Sequence, residues 1–218
     1  MRRTILLLLM TMFCMLVMRG QSVLMDQGLR SLVDAVVMLR QAESEKSETL
    51  REKASETLEK NQKWTLMDEL KDRNGGECLL TKKMERFRLV PVLNTILAKR
   101  YGKNKVKGHY LNGEDPKFNY SLIEKGIKAK GKVVYHVRGR VGHQDFVMVP
   151  RNVDKANLRI RMLNGKKRLK AKMTKGQDGN IYVHTDSRLK LTDQLTLEIT
   201  NGQNENAAVV IINHNTRK

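Results

Sequence analysis

The spacing of apolar positions changes character twice along this chain. It begins with an apolar run from Ile5 to Met18, interrupted only by Thr11. From Val23 to about Tyr101 the spacing is helical. Leu29, Leu32, Val33, Val36, Val37 and Leu39 recur at three and four residues, one apolar stripe on a helix over about 23–41. A tandem echo follows, Ser47-Glu48-Thr49-Leu50 and Ser55-Glu56-Thr57-Leu58, in which Leu50, Ala54 and Leu58 form a narrow stripe on a solvated amphipathic helix. Trp64, Leu66, Met67 and Leu70 extend the apolar pattern until Asn74-Gly75-Gly76 stops it. A further helix is predicted near Val92–Lys99, with Pro91 at its start.

After about residue 108 the period becomes two. Phe118, Tyr120 and Leu122 alternate, as do Val133, Tyr135 and Val137, then Leu158, Ile160 and Met162, then Leu195, Leu197 and Ile199. Ala207 to Ile212 is continuously apolar, the mark of a strand covered on both faces. Asn112-Gly113, Asn164-Gly165, Asp178-Gly179 and Asn201-Gly202 punctuate these runs as turns. The pattern predicts an α+β chain: a helical region over 23–101, then an antiparallel all-β sandwich over 108–218, of immunoglobulin-like architecture or a small barrel.

Composition narrows the class. Of 218 residues 40% are apolar, which supports a packed core, and 15 Gly with 3 Pro exclude collagen-like or Pro-rich chains. Two Cys exclude a disulfide-dense scaffold or a Cys-rich zinc module. The opening Met1-Arg2-Arg3, the apolar run and Arg19-Gly20-Gln21-Ser22 read as a secretory signal peptide over 1–22, because the run is shorter than the roughly 20 residues a membrane span needs. That leader makes the expected location secreted, periplasmic or the cell envelope, and its cleavage would remove Cys14 and leave Cys78 alone.

Charge adds the one unusual surface. The chain has 42 Lys+Arg against 23 Asp+Glu, a formal net charge of +19. Taking Asn164-Gly165 as a two-residue type I′ hairpin turn pairs Leu163 with Lys166, Arg161 with Arg168, Arg159 with Lys170 and Asn157 with Lys172. Strand alternation then gathers Ala156, Leu158, Ile160, Met162, Leu169, Ala171 and Met173 on one face, spoiled only by Lys167. Arg159, Arg161, Lys166, Arg168, Lys170 and Lys172 fall on the other. Directly opposed like charges should cost a few tenths of a kcal/mol per pair. Six such residues therefore suggest a polyanion partner. The alternative is a face neutralised by Glu43, Glu45, Glu48, Glu52, Glu56 and Glu59 of the N-terminal helices. Arg138 and Arg140, in a Gly-rich stretch between two strands, read as a hairpin loop or as the edge of an anion site.

Other chemistry finds no frame. His109, His136, His143, His184 and His214 form no His-x-His or His-x-x-x-His pair, so no metal is expected. No nucleophile elbow or phosphate-cradling loop occurs, so neither a cofactor nor catalysis is expected. The leader, the helical part and the endings Leu197-Glu198-Ile199-Thr200-Asn201 and Val209-Val210-Ile211-Ile212-Asn213-His214-Asn215 resemble short exported proteins of unknown function from Bacteroidota, mainly over 117–218. That resemblance implies an envelope or secreted location and no activity. The expected function is a non-catalytic binding or adhesion module, its basic β-face docking on lipopolysaccharide, acidic glycan or extracellular DNA. The second reading is a protein-interaction domain whose basic face is covered by acidic helices of its own chain or of a dimer mate.

Overall fold

The computed structural model describes residues 26–66, 71–72, 89–102, 119–137, 142–152, 157–185, 189–190 and 193–216. The predicted leader, both cysteines, Arg138 and Arg140 lie outside them. The first helix, α1 (Gln27–Glu45), starts at Asp26, whose carboxylate accepts from the Gly28 N–H at 3.1 Å. It stops where Lys46 turns into the left-handed region at φ 53°. Ser47 caps α2 (Glu48–Lys60) by accepting from the Leu50 N–H at 3.3 Å. In α3 (Leu89–Tyr101) Pro91 sits in the first turn, while Lys99 and Arg100 in the last turn suit the negative end of the helix dipole.

The strands are β1 (Trp64–Leu66), β2 (Lys71–Asp72), β3 (Tyr120–Ile127), β4 (Lys132–Val137), β5 (His143–Pro150), β6 (Leu158–Asn164), β7 (Lys167–Arg168), β8 (Ala171–Lys175), β9 (Ile181–Thr185), β10 (Leu195–Asn201) and β11 (Ala207–Thr216). They form a six-stranded sheet in the order β1-β3-β11-β5-β9-β8 and a five-stranded sheet in the order β2-β4-β10-β6-β7. All described pairings are antiparallel except β1 with β3, which is parallel. The expected α+β sandwich is present.

One expectation fails near Trp64. The segment read as a continuing helix is the strand β1, and β2 joins the second sheet, so the region expected to be helical over 23–101 contributes to both sheets. Trp64, Thr65 and Leu66 are all buried, so the segment has no exposed face from which to read a period. Local contacts hold it extended. The Trp64 indole N–H donates to the Leu58 carbonyl at 2.7 Å, and the Arg100 guanidinium lies 4.8 Å from the indole ring.

Two cores give three layers. Between the sheets, Ile123, Phe146, Met148, Val183, Val209 and Ile211 meet Val133, Met162, Leu195, Leu197 and Ile199. On the other side of the six-stranded sheet, Tyr120, Leu122, Val147, Val149, Val210 and Ile212 meet the stripe of α1 and the buried residues of α2 and α3. Val209 and Ile211 face one core while Val210 and Ile212 face the other, as the unbroken run 207–212 predicts. Phe146→Ala should therefore lower unfolding free energy by about 3–5 kcal/mol in urea titrations, since its fully buried ring sits between the sheets.

Candidate functional site

The predicted hairpin forms with a different turn. Leu163 pairs with Arg168 and Asn164 with Lys167, so the two turn residues are Gly165 and Lys166 rather than Asn164 and Gly165. The cause is tertiary. The Asn164 amide donates to Asp193 Oδ1 at 2.9 Å and its carbonyl oxygen accepts from the Gln194 N–H at 3.1 Å, which holds Asn164 in β6. The Gly165 N–H donates to the Gln194 carbonyl at 2.9 Å. With φ +57° at Gly165 and no positive φ at Lys166, the turn has the type II′ pattern, which takes Gly first.

This shifts the register by two residues, so the sorting of faces on β6 survives while the partners change. The expected Arg161–Arg168 and Arg159–Lys170 pairs do not form. Arg161 instead faces Glu198 and Arg159 faces Thr200 on β10. After Arg168 the chain leaves the five-stranded sheet and enters the other as β8. Leu169 and Ala171 turn inward against the inter-sheet core as it crosses. The six predicted residues therefore do not share one sheet surface. Arg159, Arg161 and Arg168 lie on the outer face of the five-stranded sheet, Lys166 is in the turn, Lys170 is in the crossover, and Lys172 lies on the edge of the six-stranded sheet beside His184. With Lys167 and Lys175 they make a cationic edge that wraps from one sheet to the other.

All six predicted residues are exposed, and among the described residues none forms an ion pair. The helices cover the six-stranded sheet, away from the arginines of β6. Four of the six helix glutamates pair elsewhere: Glu43 meets Arg151 at 3.2 Å, Glu48 meets Arg51 at 3.4 Å, Glu56 meets Lys60 at 3.7 Å and Glu59 meets Lys99 at 3.3 Å. Glu198 is the acid on the outer face, and its Oε1 accepts from Lys132 at 2.8 Å.

A second constellation escaped the sequence reading. Strand register places Tyr120, His214, Asp145, His184 and Lys172 opposite one another in turn, a single row across β3, β11, β5, β9 and β8. The His184 Nδ1–H donates to Asp145 Oδ1 at 2.5 Å. His214 Nδ1 lies 3.4 Å from Asp145 Oδ2, close enough for an ion pair but outside hydrogen-bond geometry. On its other edge His214 Nε2 lies 3.4 Å from Asp26 Oδ2, the oxygen that also accepts from the Tyr120 hydroxyl. The Tyr120 and His214 rings stack with centroids 4.8 Å apart. His143, two residues before Asp145, stacks on His184 at 5.5 Å, and its Nδ1 lies 3.1 Å from the Thr185 carbonyl.

Burial raises the Asp145 carboxyl, but the two neighbouring imidazoles outweigh it and hold the group below its ordinary value. The Tyr120 hydroxyl is pushed up by burial and by the adjacent Asp26. No local spacing announces this row, because its members are joined only by strand pairing between distant segments. His143-x-Asp145 on one strand face is its sole short-range trace. Among the described residues no group of three or more His, Cys, Asp and Glu side chains could hold a metal ion, and no helix is long and apolar enough to cross a membrane.

No family model matches the chain, and neither a curated protein nor a solved structure is matched by it.

The depressed carboxyl of Asp145 has a signed consequence. The unfolded chain takes up this proton more readily than the native one, so the group stabilises the fold above its unfolded pKa, and that stabilisation is lost as pH falls through the folded value. Asp145→Asn should lower the urea midpoint at pH 6 and flatten the decline of stability between pH 5 and pH 2. Parallel pH profiles for the variant and the unsubstituted chain would exclude this linkage.

Proposed function

We propose that this protein is an exported binding module of the cell envelope that docks its cationic edge on anionic polymers or surfaces such as lipopolysaccharide, acidic glycan or extracellular DNA. The observation that carries the reading is the segment 166–175. Lys166, Arg168, Lys170 and Lys172 are exposed there without carboxylate partners among the described residues, while Leu169 and Ala171 alternate with them inward. Such an edge presents charge along a line, which matches a linear polyanion better than a single small acid. Arg159 and Arg161 widen it on one side. No shape-selective pocket is needed for this mode, so selectivity should be low and salt dependence steep.

If about six anionic groups are neutralised, the slope of log affinity against log salt on duplex DNA should be near −5. Charge reversal at Arg161→Glu with Arg168→Glu should advance elution from heparin and DNA resins and lower the unfolding free energy by only about 1 kcal/mol, the cost of setting a second carboxylate opposite Glu198 with both substituted side chains exposed. Unchanged elution, with dimerisation lost instead, would favour the reading in which a dimer mate covers the basic edge.

A further inference from the structure

We propose that His143, His184 and Lys172 form a discrete site for a tetrahedral oxyanion, a phosphate or sulfate group, separate from the arginines of β6 and filled as the two imidazoles take up protons. The site is built where the cationic edge meets the polar row of the six-stranded sheet, on the face of that sheet that the helices cover further along.

Hydrogen bonding sets which atoms are offered. The Thr185 carbonyl can only accept, so the His143 nitrogen facing it at 3.1 Å carries a proton. Asp145 binds the corresponding nitrogen of His184 at 2.5 Å. Both rings thus have Nδ1 engaged, and among the described residues neither Nε2 has a partner. The His184 side chain is 35% exposed, which leaves its far edge open to a ligand. Lys172 stands directly across from His184 on the edge strand, where cross-strand Cβ atoms lie about 5 Å apart.

Geometry favours an anion over a cation. A metal ion needs lone pairs that converge, whereas the two rings are within 12° of parallel, so their in-plane lone pairs run in separate planes that do not meet. The ammonium of Lys172 also repels a cation. Protonated, the same rings present two N–H donors side by side, joined by the three donors of Lys172. Two charged imidazoles 5.5 Å apart repel, and an oxyanion bound at both removes that penalty. Anion binding and proton uptake at the two rings are therefore linked.

The surrounding charges are mixed. From β5 Asp145 faces His184, from β11 His214 faces Asp145, from β3 Tyr120 stacks on His214, and at the start of α1 Asp26 meets both Tyr120 and His214. The carboxylate of Asp145 binds His184 Nδ1 through one oxygen and lies 3.4 Å from His214 Nδ1 through the other, so it orients His184 without occupying its Nε2 edge. Asp26 is set off behind His214.

The test follows the imidazole resonances of the full chain by long-range 1H–15N NMR while inorganic phosphate, and separately inorganic sulfate, is added at pH 6.0 and at constant ionic strength. The expected result is a saturable shift at Nε2 of His143 and His184 at pH 6.0, at least tenfold weaker at pH 8.0. It should be lost in His184→Gln and weakened about tenfold in Lys172→Ala. A sulfated heparin octasaccharide should compete if the group is taken from a polymer, and free phosphate alone should saturate the site if it is not. Shifts that do not saturate, or that persist unchanged in the double variant His184→Gln with Lys172→Ala, would overturn the proposal. Arg161→Glu with Arg168→Glu should leave the phosphate response intact, so failure of the cationic-edge reading and failure of this site give different results.

Discussion

Everything in this molecule is arranged around a middle sheet that must be covered on both faces. Strand β11 is its spine: Val209 and Ile211 pack into the inter-sheet core while Val210 and Ile212 pack under the helices. A strand buried on two sides makes polar positions costly along its covered length, because each unpartnered polar group there costs about 1–3 kcal/mol. The polar residues of β11 are gathered toward its C-terminal end, where Asn213, His214 and Asn215 are still buried, Asn213 with neither side-chain polar atom hydrogen-bonded among the described residues. The helical layer begins at that same level. Asp26, which caps α1, is bound to Tyr120 and lies beside His214, so the first turn of the helix is pinned to the row where apolar coverage gives way to charge. A Cβ at Gly28 would collide with the Tyr120 hydroxyl, which shows how closely the helix start sits on that strand.

This layering explains what could be read from residues alone. The stripe of α1 and the run Ala207–Ile212 each carry their environment in their own periodicity, because burial on one side or on two sides leaves a different pattern. The alternation of β4, β6 and β10 is legible for the same reason: each has one covered face. Trp64–Leu66 is not legible, since a three-residue strand buried throughout fits a helix stripe or a strand equally well. The hairpin turn lies between these cases. Asn164-Gly165 favours one turn type locally, but Asp193 and Gln194, thirty residues away, take up the Asn164 side chain and move the bend by one position.

That slip matters less to surface charge than to charge repulsion. Displacement by an even number of residues keeps every β6 side chain on its face. It does exchange partners, so Arg161 gains Glu198 in place of Arg168 and the like-charge penalty disappears. The positive surface thus persists at a lower intrinsic cost than the expected ribbon. The acid that moderates it comes from the neighbouring strand. The helices, whose glutamates looked in sequence like natural counter-charges, are on the far side of the sandwich.

The segment 166–175 does two things with one alternation. Its inward residues Leu169 and Ala171 close the open side of the inter-sheet core, which a sandwich of two separate sheets would otherwise leave wet. The residues between them must then point outward, whatever their chemistry, and every one in that stretch from Arg168 to Lys172 is cationic. Because the chain changes sheets while keeping this period, the charge is carried around the edge and delivered next to His184, where the Asp145 row begins. A continuous strand in either sheet would have kept the lysines and the histidines on different surfaces. The crossover that seals the core is therefore also what brings Lys172 to the imidazoles.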